Sequence, residues 1–255
     1  MEKTAVVVGT GNVATHLVPA LLNAGVKVLM IYGRTLSAAK ELSERTAVPF
    51  TTEWSELPAW ADYYIYAVSD NALAGLLYRE LATQALHLHT AGSIGMEVFP
   101  THKPRHGVLY PLQTFSKSKS LNFKEVPLFI EGSALSESTE IFYLARTLSN
   151  KVFEAGSAQR RQLHLAAVFA CNFVNHLYAI SDGIVQSSGI PFEVLRPLIA
   201  ETASKIAHLS PREAQTGPAL RGDTSVMEKH LALLADHPSY REIYELLSAS
   251  IGKQK

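Results

Sequence analysis

Residues 4–14 read Thr-Ala-Val-Val-Val-Gly-Thr-Gly-Asn-Val-Ala, an apolar run that enters a glycine turn and leaves it as a helix. Ala5–Val8 has the continuous apolar character of a buried strand. Gly9 allows a tight turn, and Gly11 has no side chain to keep a pyrophosphate away from the backbone. Ala14 lets the helix lie close on the strand, and the free N–H groups of a helix starting near Asn12 meet the phosphates with the positive end of its dipole. The helix runs to Ala24, Gly25 stops it, and a second apolar strand, 26–32, begins at once. This is the opening of a dinucleotide-binding βαβ unit, with Gly9, Thr10, Gly11, Asn12 and Val13 as candidate cofactor contacts.

Outward from that unit, short apolar runs alternate with helical stretches. Strands are expected at 4–8, 26–32, 63–67, 86–90, 106–110, 127–131 and 151–154, and helices at 12–24, 36–45, 71–83 and 136–149. The alternation predicts an α/β fold, a Rossmann-like and mainly parallel sheet covered on both faces. From Ser157 the strands cease, and helices are expected at 157–188, 191–207, 225–235 and 238–251, with Pro191 and Pro238 at helix starts. The expected organisation is a nucleotide-binding domain over 1–155 and an all-α C-terminal domain over 156–255. The helical half carries a broad apolar stripe, which points to a homodimer formed through it.

The 255 residues are 47% apolar and 18% charged, an ordinary globular composition. With 23 basic and 23 acidic residues, the balance argues against a general nucleic-acid binder or a partner of anionic membranes. Cys171 is the single cysteine, so the chain contains no disulfide framework. No leader peptide is expected ahead of the strand at Thr4, and the apolar run 163–173 reads as too short and too interrupted to span a bilayer. A cytoplasmic protein is the expectation.

At the end of the second strand the chain reads Ile31-Tyr32-Gly33-Arg34-Thr35, with no carboxylate to hold ribose hydroxyls. Arg34 can pair with a 2′-phosphate, and Thr35 and Ser37 can donate hydrogen bonds to it, so NADP is expected over NAD. Ala67, Val68 and Ser69, at the exit of the strand 63–67, would let the nicotinamide-side ribose lie over the backbone, while Asp70 or Asn71 suits a helix cap. His89-Thr-Ala-Gly-Ser93 ends another strand at the carboxyl edge of the sheet. Thr90 and Gly92 are candidate cofactor contacts there, and Ser93 a candidate substrate contact.

Taken together, Gly9–Ala14, Gly33–Thr35, Ala67–Asp70, His89–Ser93, Tyr110-Pro-Leu-Gln-Thr-Phe115, His164–Asn172 and Gln215–Asp223 resemble the NADP oxidoreductases that join a Rossmann-like domain to a helical C-terminal domain of undefined function. These are relatives of pyrroline-5-carboxylate reductase, of the 6-phosphogluconate and β-hydroxyacid dehydrogenases, and of deazaflavin-dependent NADP oxidoreductases. The resemblance implies hydride transfer with NADPH, a dimer, and a substrate site between the domains. It names no substrate. The β-hydroxyacid dehydrogenases carry a lysine on the long helix four residues before an asparagine. Here Cys171 precedes Asn175 and Val168 precedes Asn172 at that spacing, so the resemblance does not extend to hydroxyacid chemistry by that route.

Reduction of a carbonyl or imine needs a proton donor and groups that orient the acceptor. In a regular helix His164, Val168, Cys171 and Asn175 share a stripe, with Asn172 beside it. His164 is the candidate acid, since imidazole titrates near neutral pH, and Asn172 and Asn175 are candidate partners; His176 points away from the stripe. Each could equally satisfy structural hydrogen bonds. Arg221 could clamp a substrate carboxylate or phosphate, or pair with Asp223, and Gln113 and Thr114 follow a strand end that faces the same crevice. His87 and His89 share a strand face without a third metal ligand at familiar spacing, and HExxH and CxxC are absent, so no metal is expected. Ser69 and Ser93 lack a GxSxG elbow. The reading is an NADP(H)-dependent oxidoreductase of a small carbonyl or imine; the alternative is a protein that binds NADP as a sensor without turnover.

Overall fold

The computed structural model describes residues 2–81 and 84–253. Among them eight strands form one sheet in the order β3-β2-β1-β4-β5-β6-β7-β8. These are β1 (Thr4–Val8), β2 (Lys27–Tyr32), β3 (Phe50–Thr51), β4 (Tyr63–Tyr66), β5 (Leu86–His89), β6 (His106–Pro111), β7 (Leu128–Gly132) and β8 (Val152–Glu154). β1 pairs in parallel with both β2 and β4; β7 pairs antiparallel with β6 and parallel with β8, so the last two strands run opposite to the other six. The chain turns back on itself between β1 and β4, which opens a crevice at the carboxyl ends of those strands.

Alternation along each strand divides the core between two faces. Ala5, Val7, Tyr63 and Ile65 pack on one side under α1 (Asn12–Asn23), α2 (Leu36–Thr46) and, near β6 and β7, α4 (Leu135–Leu148). Val6, Val8, Tyr64 and Tyr66 pack on the other with Leu73 and Leu77 of α3 (Asp70–Leu77). The central strands are buried on both sides, as parallel strands covered by helices must be. The expected α/β architecture is therefore the observed one.

Some details of this sheet domain differ from the sequence reading. The expected helix 71–83 ends at Leu77, and positions 82–83 lie outside the described residues. Its N-cap is Ser69; Asp70 is the first helical residue and bonds elsewhere. β3 has only two residues, too few to leave a periodic signal in sequence.

By its internal contacts the chain divides into two compact units, Met1–Asn172 and Phe173–Lys255. The break falls in a long helix made of α5 (Ser157–Ala167), a π-helical segment (Val168–Phe173) and α6 (Val174–Ser187). At 31 residues and a mean hydropathy of 1.4 over its most apolar stretch, this helix is long and apolar enough to cross a bilayer, although little of that stretch is buried. This corrects the sequence reading, which stopped the run at Phe173; the apolar positions continue through Ile180 and Ile184. The second unit contains α6, α7 (Arg196–Lys205), the one-turn helix α8 (Pro218–Arg221), α9 (Thr224–Leu233) and α10 (Pro238–Gly252). Pro238 occupies the first turn of α10, as expected. Leu234 is the only buried hydrophobic residue among those described in this unit.

Candidate active site

The glycine turn after β1 is shaped by close approach. Gly9 has φ +126°, its N–H donates to the Tyr32 carbonyl at 2.8 Å, and a Cβ there would come 2.1 Å from the Ala67 oxygen. Only glycine fits. At Gly11 an added Cβ would meet nothing within 4 Å, so the absent side chain leaves open space above the turn. Gly11 caps α1 without any side-chain hydrogen bond, and the first turn of α1 holds no acid. The first amides of the helix are thus free to meet an anion.

That turn borders a cavity of 530 Å³. Gly9, Thr10, Gly11, Asn12, Val13, Arg34, Thr35, Ala67, Val68 and Ser69 all line it. Arg34 and Thr35 are exposed at the start of α2, and Arg34 lines the crevice with no ion pair to a carboxylate among the described residues. The open cradle at Gly11, the uncapped helix and Arg34 fit a phosphorylated dinucleotide. Tyr32, Ala72, Leu76 and Arg79 also line the cavity, and the sequence reading did not pick them out. Arg79 lies 5.3 Å over the Trp54 ring and donates to Tyr32 Oη at 3.5 Å, contacts that join three separate elements and leave no local motif.

Thr90 and Gly92 do not line this cavity. The Thr90 N–H and hydroxyl both donate to the Tyr66 carbonyl, at 3.2 and 3.3 Å, which fixes the end of β5. Gly92 is buried where a Cβ would lie 2.6 Å from Tyr110 Cζ and 2.8 Å from His164 Nδ1. Tyr110 Oη and His164 Nδ1 are 3.2 Å apart, within hydrogen-bond distance.

Both rings line a second cavity of 450 Å³, together with Gln113, Thr114, Cys171 and Asn172. His164 and Asn172 meet there because of the π segment. Eight residues fill about two turns when one of the turns is π, which takes roughly one residue more than an α turn of 3.6. A regular helix would set Asn172 beside the stripe instead. Asn175 lies past the π segment and is exposed, as is His176. Arg221 is exposed at the end of α8, and its expected partner Asp223 caps α9, accepting from the Val226 N–H at 3.3 Å. Gln113 Oε1 accepts from the Thr114 N–H at 2.8 Å. Ser93 lines neither cavity; its hydroxyl donates to the Asp70 carboxylate.

A short path joins the two cavities. Ser69 lines the first, Asp70 follows it and holds Ser93, and Gly92 precedes Ser93 and packs against the Tyr110–His164 pair of the second. The loop is anchored from α5. Arg160 is fully buried, bonded to the Glu131 carboxylate, and donates to the Ile94 carbonyl at 2.6 Å. Glu131 also accepts from the Ser157 N–H at 3.0 Å and hydroxyl at 2.8 Å, capping the helix from outside. His164 stands one turn beyond Arg160.

His87 and His89 are buried in β5 rather than arranged as ligands, and no group of three metal-binding side chains occurs among the described residues. Burial, then the Lys103 charge, pushes His87 down to about 3; burial, then the Arg160 charge, does the same to His89. Both are neutral core residues. His87 Nδ1 lies 3.2 Å from Tyr66 Oη, and the His89 ring stacks on Phe99.

Residues 126–251 match the model of a domain of unknown function, DUF2520, and residues 1–73 match the shikimate / quinate 5-dehydrogenase model. No curated protein sequence matches the chain. Among solved structures, a Bacteroides fragilis protein assigned as an NADP oxidoreductase is 43% identical, with a TM-score of 0.92, over 99% of this chain and 98% of its own. A Thermotoga maritima protein is 22% identical with a TM-score of 0.78, over 98% of this chain and 99% of its own. The imine reductase of Myxococcus stipitatus, solved with NADP+, shares the fold at 16% identity and a TM-score of 0.70, over 98% of this chain and 93% of its own.

Proposed function

The chain belongs to the family of NADP oxidoreductases to which the Bacteroides fragilis protein is assigned, and from that premise we propose that it reduces a small carbonyl or imine compound with NADPH. Gly9–Val13 would hold the pyrophosphate, Arg34 and Thr35 the 2′-phosphate, and Ala67–Ser69 the ribose on the reactive side. NADPH bound there supplies a hydride to the carbon of a C=O or C=N bond. The acceptor occupies the 450 Å³ cavity, where Gln113 and Asn172 orient it and His164 holds the proton for its oxygen or nitrogen. The observation that carries this reading is the Asp70–Ser93 and Gly92 path, which sets the His164 ring beside the loop bordering the nucleotide crevice.

The reading extends to a cytoplasmic homodimer. The second unit has almost no buried apolar interior, while Leu198 is 63% exposed and Leu246 is 72% exposed. A unit of this size needs a core to stay folded, and a second copy would supply the missing cover.

Stopped-flow absorbance of enzyme-bound NADPH, mixed with a panel of aldehydes, keto acids and cyclic imines, tests the reaction. Rapid bleaching with one class supports it. Uniformly negligible oxidation across the panel, in protein that binds NADPH, would leave nucleotide binding without reduction as the better account.

A further inference from the structure

We propose that Tyr110 is a positioning residue that fixes the tautomer of His164: its hydroxyl donates to Nδ1 and leaves the ring proton on Nε2, available to a ligand of the 450 Å³ cavity. The inference deepens the reductase reading and rests on it for its catalytic meaning.

The assignment of donor and acceptor follows from hydrogen-bond supply. Tyr110 is held at the end of β6 and is buried, its ring packed against Gly92 on one side and 6.2 Å from the His164 centroid, edge to face, on another. A buried phenol hydroxyl must place its hydrogen on an acceptor. Among the described residues the partner of Tyr110 Oη is His164 Nδ1. Were Nδ1 the donor, the hydroxyl hydrogen would be left without a protein acceptor among the described residues. Burial, the main influence, raises the Tyr110 phenol above its ordinary value, so it stays protonated and able to donate. A neutral imidazole whose Nδ1 accepts carries its proton on Nε2.

Such a pair solves a problem of proton supply. A neutral imidazole that gave up its Nε2 proton alone would become an imidazolate. With Tyr110 in place, the substrate oxygen or nitrogen takes the Nε2 proton as Nδ1 takes the phenol proton. Two bonds to hydrogen break and two form, the imidazole stays neutral, and the phenolate is reprotonated from solvent. The electron pair that creates the basic site on the substrate comes with the hydride.

Long-range 15N–1H correlation spectra of histidine-labelled protein at slightly alkaline pH test the proposal, with the His164 signals assigned by their loss in His164→Gln. The expected spectrum shows an unprotonated Nδ1 and a protonated Nε2 in the native protein. In Tyr110→Phe, which keeps the ring and removes only the hydroxyl, the two tautomers should mix. A native spectrum with the proton on Nδ1, or a Tyr110→Phe spectrum identical to the native one, overturns the proposal. The native measurement alone decides the tautomer if the variant does not fold. Neither substrate nor NADPH is present, so failure here is distinct from failure of the reductase reading.

Discussion

Arg34 is one residue past Gly33, whose N–H donates to the Thr51 carbonyl at 3.1 Å, and that bond pins the turn from which the guanidinium reaches the crevice. On the proposed reading, replacing it by aspartate exchanges a charge-assisted contact with the 2′-phosphate for a repulsive one. Arg34→Asp should weaken NADPH binding by about 1–3 kcal/mol more than NADH binding, read by titrating the fluorescence of each nucleotide. Equal losses for both would remove Arg34 from the 2′-phosphate. This residue was legible in sequence because the end of the second strand is a fixed address in such folds. Tyr110 was not: its partner His164 lies 54 positions away, and no local spacing connects a strand end to a distant helix.

At the scale of elements, β5 carries a built-in acid sensitivity. His87 and His89 have folded-state values pushed down to about 3 from 6.5, so the unfolded chain binds their protons more readily than the native one. Their contribution to stability is full above pH 6.5 and is lost as pH falls from there toward 3. Between pH 7 and pH 5 the loss should be roughly 2 kcal/mol per histidine, before most carboxylates titrate, as followed by urea unfolding at each pH. A stability unchanged over that interval would show that the two rings are not buried as neutral groups. Strands and long helices could be read from apolar periodicity because burial imposes it. The π segment could not, since one wide turn alters the phase of a helix without altering its composition. The early end of α3 at Leu77 was not read either: Gly75 lies inside the helix, and Tyr78-Arg-Glu after it carries no glycine or proline stop.

For the whole molecule, the contrast between the units is the controlling fact. The first has a sheet buried on both faces, and the second exposes Ile184, Val194, Leu198, Leu233 and Leu246. A homodimer at micromolar concentration is the expected state in sedimentation equilibrium, and Leu246→Glu should shift it toward monomer and lower the unfolding temperature. A native protein that sediments as a monomer at high concentration would contradict the shared-surface reading. The apolar stripe was readable from composition; what it lacks, an interior of its own, became clear only with side-chain exposures.

Arg160 gives the first unit one further property. A single guanidinium fastens both the Ile94 carbonyl and the Glu131 carboxylate that caps α5. The strip of chain behind Gly92 and the helical turn leading to His164 are therefore hinged on one pin. Neither can drift while the other stays put, and thermal breathing at this spot must open or close both walls around the Tyr110–His164 pair as one event.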